Sequence, residues 1–187
     1  MHPDTHETFI NSARLTLAPF QANDLAALHT LWTDADVRRH LWDDEVIDIE
    51  TVAEVIAESS AAWRERNIGM WCVRLHDQAD LVGFVGFRFV HEIQRGAELL
   101  YGFYPRYWRK GYAAESVNAA LNYAFVDNQL PHVWGATDPP NVASVRVMER
   151  AGFAFKEQGL LAGLDTLFFA MTAAQFAASR STPPRIH

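Results

Sequence analysis

Cysteine is nearly missing from this chain of 187 residues, with Cys72 standing alone. One thiol excludes an internal disulfide framework and any cysteine-rich metal site. Positive charge is also short: 16 Lys+Arg against 23 Asp+Glu leave a formal net charge of −7. Without a basic footprint, neither nucleic acid nor an anionic membrane surface is an expected partner. Long apolar runs are missing as well. The least charged stretch, residues 160–179, contains Asp165 and opens like a strand, so no membrane span is expected. The polar start, Met1-His2-Pro3-Asp4, has neither a basic region nor an apolar run of the signal-peptide kind. The eight histidines offer no H-x-x-E-H spacing, and no metal is expected. Repeats and low-complexity segments are absent. What remains is 49% hydrophobic and 21% charged, the balance of a globular protein. A single domain over residues 1–187 is expected, soluble and cytoplasmic, with a loose N-terminus and a Pro-containing tail from Ser179.

Between those ends the hydrophobic period changes in a readable order. Arg14-Leu15-Thr16-Leu17 alternates like a strand. Asn23-Asp24 offers a cap before Leu25, Leu28 and Leu31-Trp32, which share a helical face. Asp48 or Glu50-Thr51 opens a second helix that ends near Asn67-Ile68-Gly69. Residues 70–75 and 81–90 are β-rich runs around a polar turn, and Gln94-Arg95-Gly96 leads to a third strand over 97–104. A helix follows from Ala113, then a strand over 132–137. Asn141 caps a helix over 142–151 that Gly152 ends, and strands over 153–155 and 164–171 close the series. The order β-α-α-β-β-β-α-β-α-β-β describes a mixed sheet with helices packed on it.

The most informative segment runs Phe103-Tyr104-Pro105-Arg106-Tyr107-Trp108-Arg109-Lys110-Gly111-Tyr112-Ala113-Ala114-Glu115. It reads as a strand, a short loop and a helix start, which exposes unpaired backbone N–H groups at the positive end of a helix. Gly111 and Ala113 keep bulk away from that backbone. Arg106, Arg109 and Lys110 gather three cations in an otherwise acidic protein, which suits a pyrophosphate. Neither the Walker A nor the dinucleotide GxGxxG pattern applies. A plain solvated strand–helix turn, with Gly111 serving only a positive φ, is the competing reading.

Residues 107–115 resemble the acyl-coenzyme-A-binding motif of the GNAT acetyltransferase superfamily, nearest the branch of the ribosomal-protein N-α-acetyltransferases. Trp108 stands where the general motif has Gln or Arg, and Arg109 where that branch usually has Gly. Downstream, Asn141-Val142-Ala143-Ser144 with Glu149-Arg150-Ala151-Gly152-Phe153 is similar to the family's N-x-x-S…E-K/R-x-G-F segment. The resemblance covers about residues 12–175. It implies an α/β (α+β) fold: a mixed, mostly antiparallel sheet of about seven strands flanked by helices, with a splayed strand pair at the acyl-coenzyme-A site. It also implies an acetyl-coenzyme-A-dependent N-acetyltransferase in which a primary amine, either a protein N-terminus or a small amine, attacks directly in a ternary complex. A non-catalytic acyl-coenzyme-A sensor is the alternative, since the tyrosine many members use as thiolate acid is missing after Asn141. Family members are monomers or dimers, and a homodimer is the expectation carried forward.

Carried onto this chain, the resemblance places the pyrophosphate on the backbone of Arg109, Lys110, Gly111, Tyr112, Ala113 and Ala114. The pantetheine arm falls along Gly102, Phe103 and Tyr104, with Asn141 beside it. Glu98 is the expected general base, with His91, Glu92, Glu45 and Asp43-Asp44 as competitors and a solvent-facing carboxylate as the plain alternative. Ser144 is the expected partner of the departing thiolate; helix capping by Asn141 is the plain alternative for that pair. Arg146 and Arg150 read as a solvated face, and Cys72 as a small buried hydrophobe. Trp32, Trp42 and Trp63 read as core, with an acceptor wall as the second reading. The acids of 34–36 and 43–45 form either a rim for a cationic acceptor or a solvated loop.

Overall fold

Alternation over Leu15–Pro19 puts Leu15, Leu17 and Pro19 in the interior and leaves Thr16 and Ala18 half-buried, the pattern of a strand with one covered face. The computed structural model of the protein describes residues 8–89 and 96–181. Among them are eight strands: β1 (Ile10–Asn11), β2 (Leu15–Pro19), β3 (Met70–Leu75), β4 (Leu81–Phe89), β5 (Ala97–Phe103), β6 (His132–Thr137), β7 (Ala154–Leu161) and β8 (Leu164–Thr172). Six α-helices join them: α1 (Leu25–Thr33), α2 (Ala35–Leu41), α3 (Ile49–Arg66), α4 (Tyr112–Asn122), α5 (Val142–Ala151) and α6 (Ala173–Ser181). The strands form one mixed sheet in the order β1-β2-β3-β4-β5-β6-β8-β7. β5 and β6 pair in parallel, whereas β1–β2, β2–β3, β3–β4, β6–β8 and β7–β8 pair antiparallel.

The parallel ladder is short. It joins Ala97 to Val133, Glu98 to Trp134 and Leu99 to Gly135, and β5 then continues four residues further to Phe103.

The chain builds two compact units: one holds the chain up to Arg88 with Leu100–Ala120, the other Phe89–Leu99 with the chain from Leu121. In the first unit, α1, α2 and α3 contribute Leu28, Leu31, Trp32, Val37, Val52 and Ile56 to a core shared with Met70, Cys72 and Phe84 of the strands. Trp32 meets Phe84 edge-on with ring centroids 5.5 Å apart, an arrangement that suits the ring quadrupoles. In the second unit, α5 packs on β6 through Met148: a Cβ added to Gly135 would stand 2.6 Å from its Sδ. Phe125 stacks on Phe176 of α6, with centroids 4.9 Å apart.

Local capping explains the helix limits. The Asp48 carboxylate accepts the Thr51 backbone N–H at 2.8 Å and its hydroxyl at 2.6 Å, which starts α3 after Asp48. Asn67 ends it in the left-handed conformation at φ 53°. Asn141 caps α5 and Gly152, at φ 98°, ends it.

Several expectations need correction. The sheet has eight strands, because residues expected to be loose contribute β1. Residues 35–41, between the two acidic groups expected on a rim or a solvated loop, are helical: Asp34 accepts the Asp36 N–H at 3.0 Å as N-cap, and the three basic residues Arg38, Arg39 and His40 occupy the last turn. β7 runs to Leu161 rather than stopping near 155, and α6 occupies the stretch expected to lead into a frayed tail. α4 does not stop cleanly at Asn122 but widens into a π-turn, Tyr123–Asp127, closed by the Asn128 N–H on the Tyr123 carbonyl at 2.8 Å. The Gln94-Arg95 part of the expected turn lies outside the described residues.

Candidate active site

Pro105 cannot continue the β5 ladder, so the chain turns out of the strand through a 3₁₀ turn, Pro105–Tyr107. The Trp108 indole N–H then donates to the Phe103 carbonyl at 2.7 Å, tying the loop to the end of β5. Arg109 and Gly111 both take the left-handed conformation, at φ 59° and 82°, on either side of Lys110. Glycine accepts that conformation freely, while arginine adopts it at a cost. α4 begins at once, and its first i to i−4 bond runs from the Glu115 N–H to the Gly111 carbonyl at 3.0 Å. Helix geometry therefore leaves the amides of Gly111, Tyr112, Ala113 and Ala114 without a use inside the helix.

Aromatic faces hold two of the nearby cations. The Arg106 guanidinium lies 4.4 Å from the Tyr104 ring and 5.0 Å from that of Tyr107, and the Lys110 ammonium lies 5.5 Å from the Tyr107 ring. Arg109, beside them, is exposed. Glu115, in the first turn of α4, is held by Ser12 and Arg14 from the start of the chain. Backbone amides at a helix start with several cations around them form a donor set that fits a diphosphate.

Gly102 and Phe103 end β5, Tyr104 follows at once, and the glycine has a packing role. A Cβ on Gly102 would lie 2.6 Å from the Phe84 ring, and one on Gly83 would lie 2.4 Å from the Phe103 ring. Each strand lays an aromatic ring over the other's glycine. The bare Cα of Gly102 is thus covered by Phe84.

The remaining expected residues belong to the second unit. Glu98 is buried, at 7% exposure, opposite Trp134 in the β5–β6 register; the solvent-facing alternative is overturned. Asn141 accepts the Ser144 backbone N–H at 3.1 Å, the geometry of a helix cap. Ser144 lies half-buried in the first turn of α5.

The profile of the acetyltransferase (GNAT) domain matches residues 14–154. The chain belongs to the GNAT acetyltransferase family. It is therefore an acyltransferase by family. An uncharacterized N-acetyltransferase, YoaA of Bacillus subtilis, is 26% identical over 152 residues, covering 81% of this chain and 85% of that protein. A spermidine N(1)-acetyltransferase of Vibrio cholerae is 25% identical over 150 residues, 80% of this chain and 83% of the relative. Among solved structures, the ribosomal L7/L12 α-N-protein acetyltransferase RimL in complex with coenzyme A has the same fold, with TM-score 0.74 at 18% identity, covering 88% of this chain and 98% of that one.

In this GNAT protein the candidate tryptophans are packed against other aromatic rings. Trp63 packs edge-on against Trp71 with centroids 4.8 Å apart, and Trp32 is fully buried. Trp42 lies 5.7 Å from Trp32, ring centre to ring centre, and both indole N–H groups are buried without a protein acceptor. Asp44 pairs with Arg38 at 3.0 Å and Asp36 with Arg39 at 3.7 Å, so much of the acidic stretch is internally balanced. Asp43 and Glu45 are exposed. His91 and Glu92 lie outside the described residues. Burial raises the Cys72 thiol far above its ordinary value, with Asp24 adding to it, which leaves the thiol inert. Among the described residues no group of His, Cys, Asp or Glu is placed to hold a metal ion. No helix there is long and apolar enough to cross a membrane.

Sequence reasoning missed two polar links. Ser12, Arg14 and Glu115 join positions up to 103 residues apart, and Asp24 pairs with Arg74 at 2.6 Å across 50 residues. No local pattern marks either one.

Proposed function

We propose that this GNAT protein is an acetyl-coenzyme-A-dependent N-acetyltransferase that presents its acyl donor to a primary amine within a ternary complex. One observation carries the reading: the loop that turns through left-handed Arg109 and Gly111 into α4, with four helix amides ahead of the first helical bond and cations around them. In this reading the amides of Gly111–Ala114 and the Arg109 side chain hold the diphosphate. The end of β5, from Gly102 to Tyr104, takes the amide-bearing pantetheine arm through its backbone, and Asn141 adds its side-chain amide. A backbone N–H at Gly102 or Phe103 faces the thioester carbonyl and stabilises the oxyanion that forms on attack.

The amine must lose a proton to attack, and Glu98 accepts it, directly or through water. Its burial supports the role, because a carboxylate withdrawn from solvent is held in place. As the carbon–sulfur bond breaks, Ser144 donates a hydrogen bond to the departing thiolate. Two acceptor classes compete. The spermidine-acetylating relative favours a small polyamine, and the shared fold with a ribosomal-protein acetyltransferase favours a protein N-terminus.

Calorimetric titration with acetyl-coenzyme A tests the donor half. Wild type binds, Arg109→Ala binds more weakly, and Gly111→Glu loses on the order of a hundredfold, about 2.7 kcal/mol. Unchanged affinity in both variants would refute the loop's role. Incubating a lysate with labelled acetyl-coenzyme A then separates the acceptors: labelled protein bands support an N-terminus, labelled small products a polyamine or other small amine. Turnover on either side also excludes a donor-binding sensor without catalysis.

A further inference from the structure

A helix start that receives an anion should not carry an unbalanced carboxylate in its first turn, because the two compete for the same positive end. Here Glu115 sits there. Its Oε1 accepts the Ser12 hydroxyl at 2.7 Å and the Arg14 backbone N–H at 2.8 Å, while its Oε2 accepts the Arg14 Nε–H at 2.7 Å. The second guanidinium nitrogen stands 2.7 Å from the same oxygen, and the Glu115 side chain is only 16% exposed. Both oxygens are thus committed toward the β1–β2 turn. The same guanidinium donates to the Lys110 carbonyl at 3.0 Å and lies 4.5 Å from the Tyr112 ring. Its terminal nitrogen stands 3.3 Å from where a Gly111 Cβ would be. One arginine therefore borders Lys110, Gly111, Tyr112 and Glu115. It does so next to Arg109, whose left-handed backbone needs support from its surroundings.

We propose that Ser12, Arg14 and Glu115 form a strut that sets the geometry of the phosphate loop and neutralises the first turn of α4, making them positioning residues for the diphosphate of the acyl donor. The inference rests on the donor-loop reading given above. Ser12 belongs to a rigid turn of its own, with its N–H on the Leu15 carbonyl at 2.9 Å and its Oγ accepting the Leu15 N–H at 3.2 Å. The β1–β2 turn thereby gives the loop a fixed anchor more than ninety residues away in sequence.

Two donors separate this role from general support of the fold. Acetyl-coenzyme A carries the diphosphate; S-acetylpantetheine carries the same thioester and arm without it. Affinities are measured by calorimetry for the first and ligand-observed NMR for the second, on wild type, Arg14→Ala, Glu115→Gln and the double variant. Arg14→Ala weakens acetyl-coenzyme A roughly tenfold and leaves S-acetylpantetheine within about twofold. Adding Glu115→Gln to Arg14→Ala restores part of that loss, because it removes the uncompensated carboxylate. Equal losses for both donors, or a double variant no better than Arg14→Ala, would overturn the strut. Should Arg14→Ala fail to fold, Ser12→Ala keeps the ion pair and gives the same selective loss at two- to threefold; its absence is equally fatal. A wild type that binds acetyl-coenzyme A no better than S-acetylpantetheine would instead sink the donor-loop reading itself.

Discussion

Glu98 and Ser144 illustrate how much a single residue's surroundings alter its meaning. On sequence alone Glu98 has a plain alternative as a surface acid, yet it is buried opposite Trp134. A buried carboxylate is expensive unless it is paired or hydrogen-bonded, so a position like this one restricts where the side chain can point. Ser144 reads both as a thiolate partner and as an unremarkable first-turn serine, and its backbone N–H on Asn141 belongs to the second reading. Glu98→Gln should lower kcat by on the order of a hundredfold with acetyl-coenzyme A affinity unchanged. Ser144→Ala should lower kcat by roughly tenfold, also at constant donor affinity. Steady-state kinetics at saturating donor beside calorimetry decides this, and wild-type turnover in both variants would remove these residues from the chemistry. The strand–loop–helix geometry of residues 103–115 was legible at this scale because its signals are adjacent: a glycine, small residues and clustered cations before a helix. The Glu115 strut was illegible for the opposite reason, since its partners lie 101 to 103 residues away.

Among the elements, β4 and β5 interlock through two glycines and two phenylalanines. Phe84 covers Gly102 and Phe103 covers Gly83, and Phe84 is itself pinned by Trp32 and Phe20, at 5.5 and 6.4 Å. The ring has nowhere to go. Gly102→Ala should cost about 1–3 kcal/mol in urea unfolding, and pairing it with Phe84→Leu should recover part of the loss; independent, additive effects would show that the ring does not block the site. Such pairs explain what the sequence could not convey. Period and caps marked α3 and α5 closely, because Asp48, Asn67, Asn141 and Gly152 act on their own neighbours. α2 was hidden by its charges, which read as loop until Asp34 is seen as its cap. β1 is two residues long and exists through its pairing with β2, so no period can reveal it. α6 follows directly on β8, and its alanine-rich, weakly amphipathic run carries little signal of a boundary.

For the molecule as a whole, a net charge of −7 makes acid a sensitive probe, because protonating carboxylates removes both self-repulsion and specific pairs. The two effects have opposite signs. Lost repulsion stabilises the fold as pH falls, whereas a carboxylate held below its ordinary value destabilises it once protonated. Glu115 is such a group. Burial pushes it up, but the hydrogen bonds from Ser12 and Arg14 and the Arg14 charge outweigh burial and hold it below 4.5. Its contribution is present above the unfolded value and disappears as pH drops through the lower, folded one. Urea unfolding at pH 7 and at pH 4 should therefore cost wild type more stability than Glu115→Gln, whose amide cannot titrate, so the gap between them narrows in acid. The same measurement in 0.5 M salt should shrink the pH 7 gap, since Arg14 is half exposed and its pair with Glu115 is partly screened. Parallel pH profiles for the two proteins would mean that Glu115 is not held by Arg14 in solution. The strut would then have to be abandoned at the scale of the whole fold as well as at the loop.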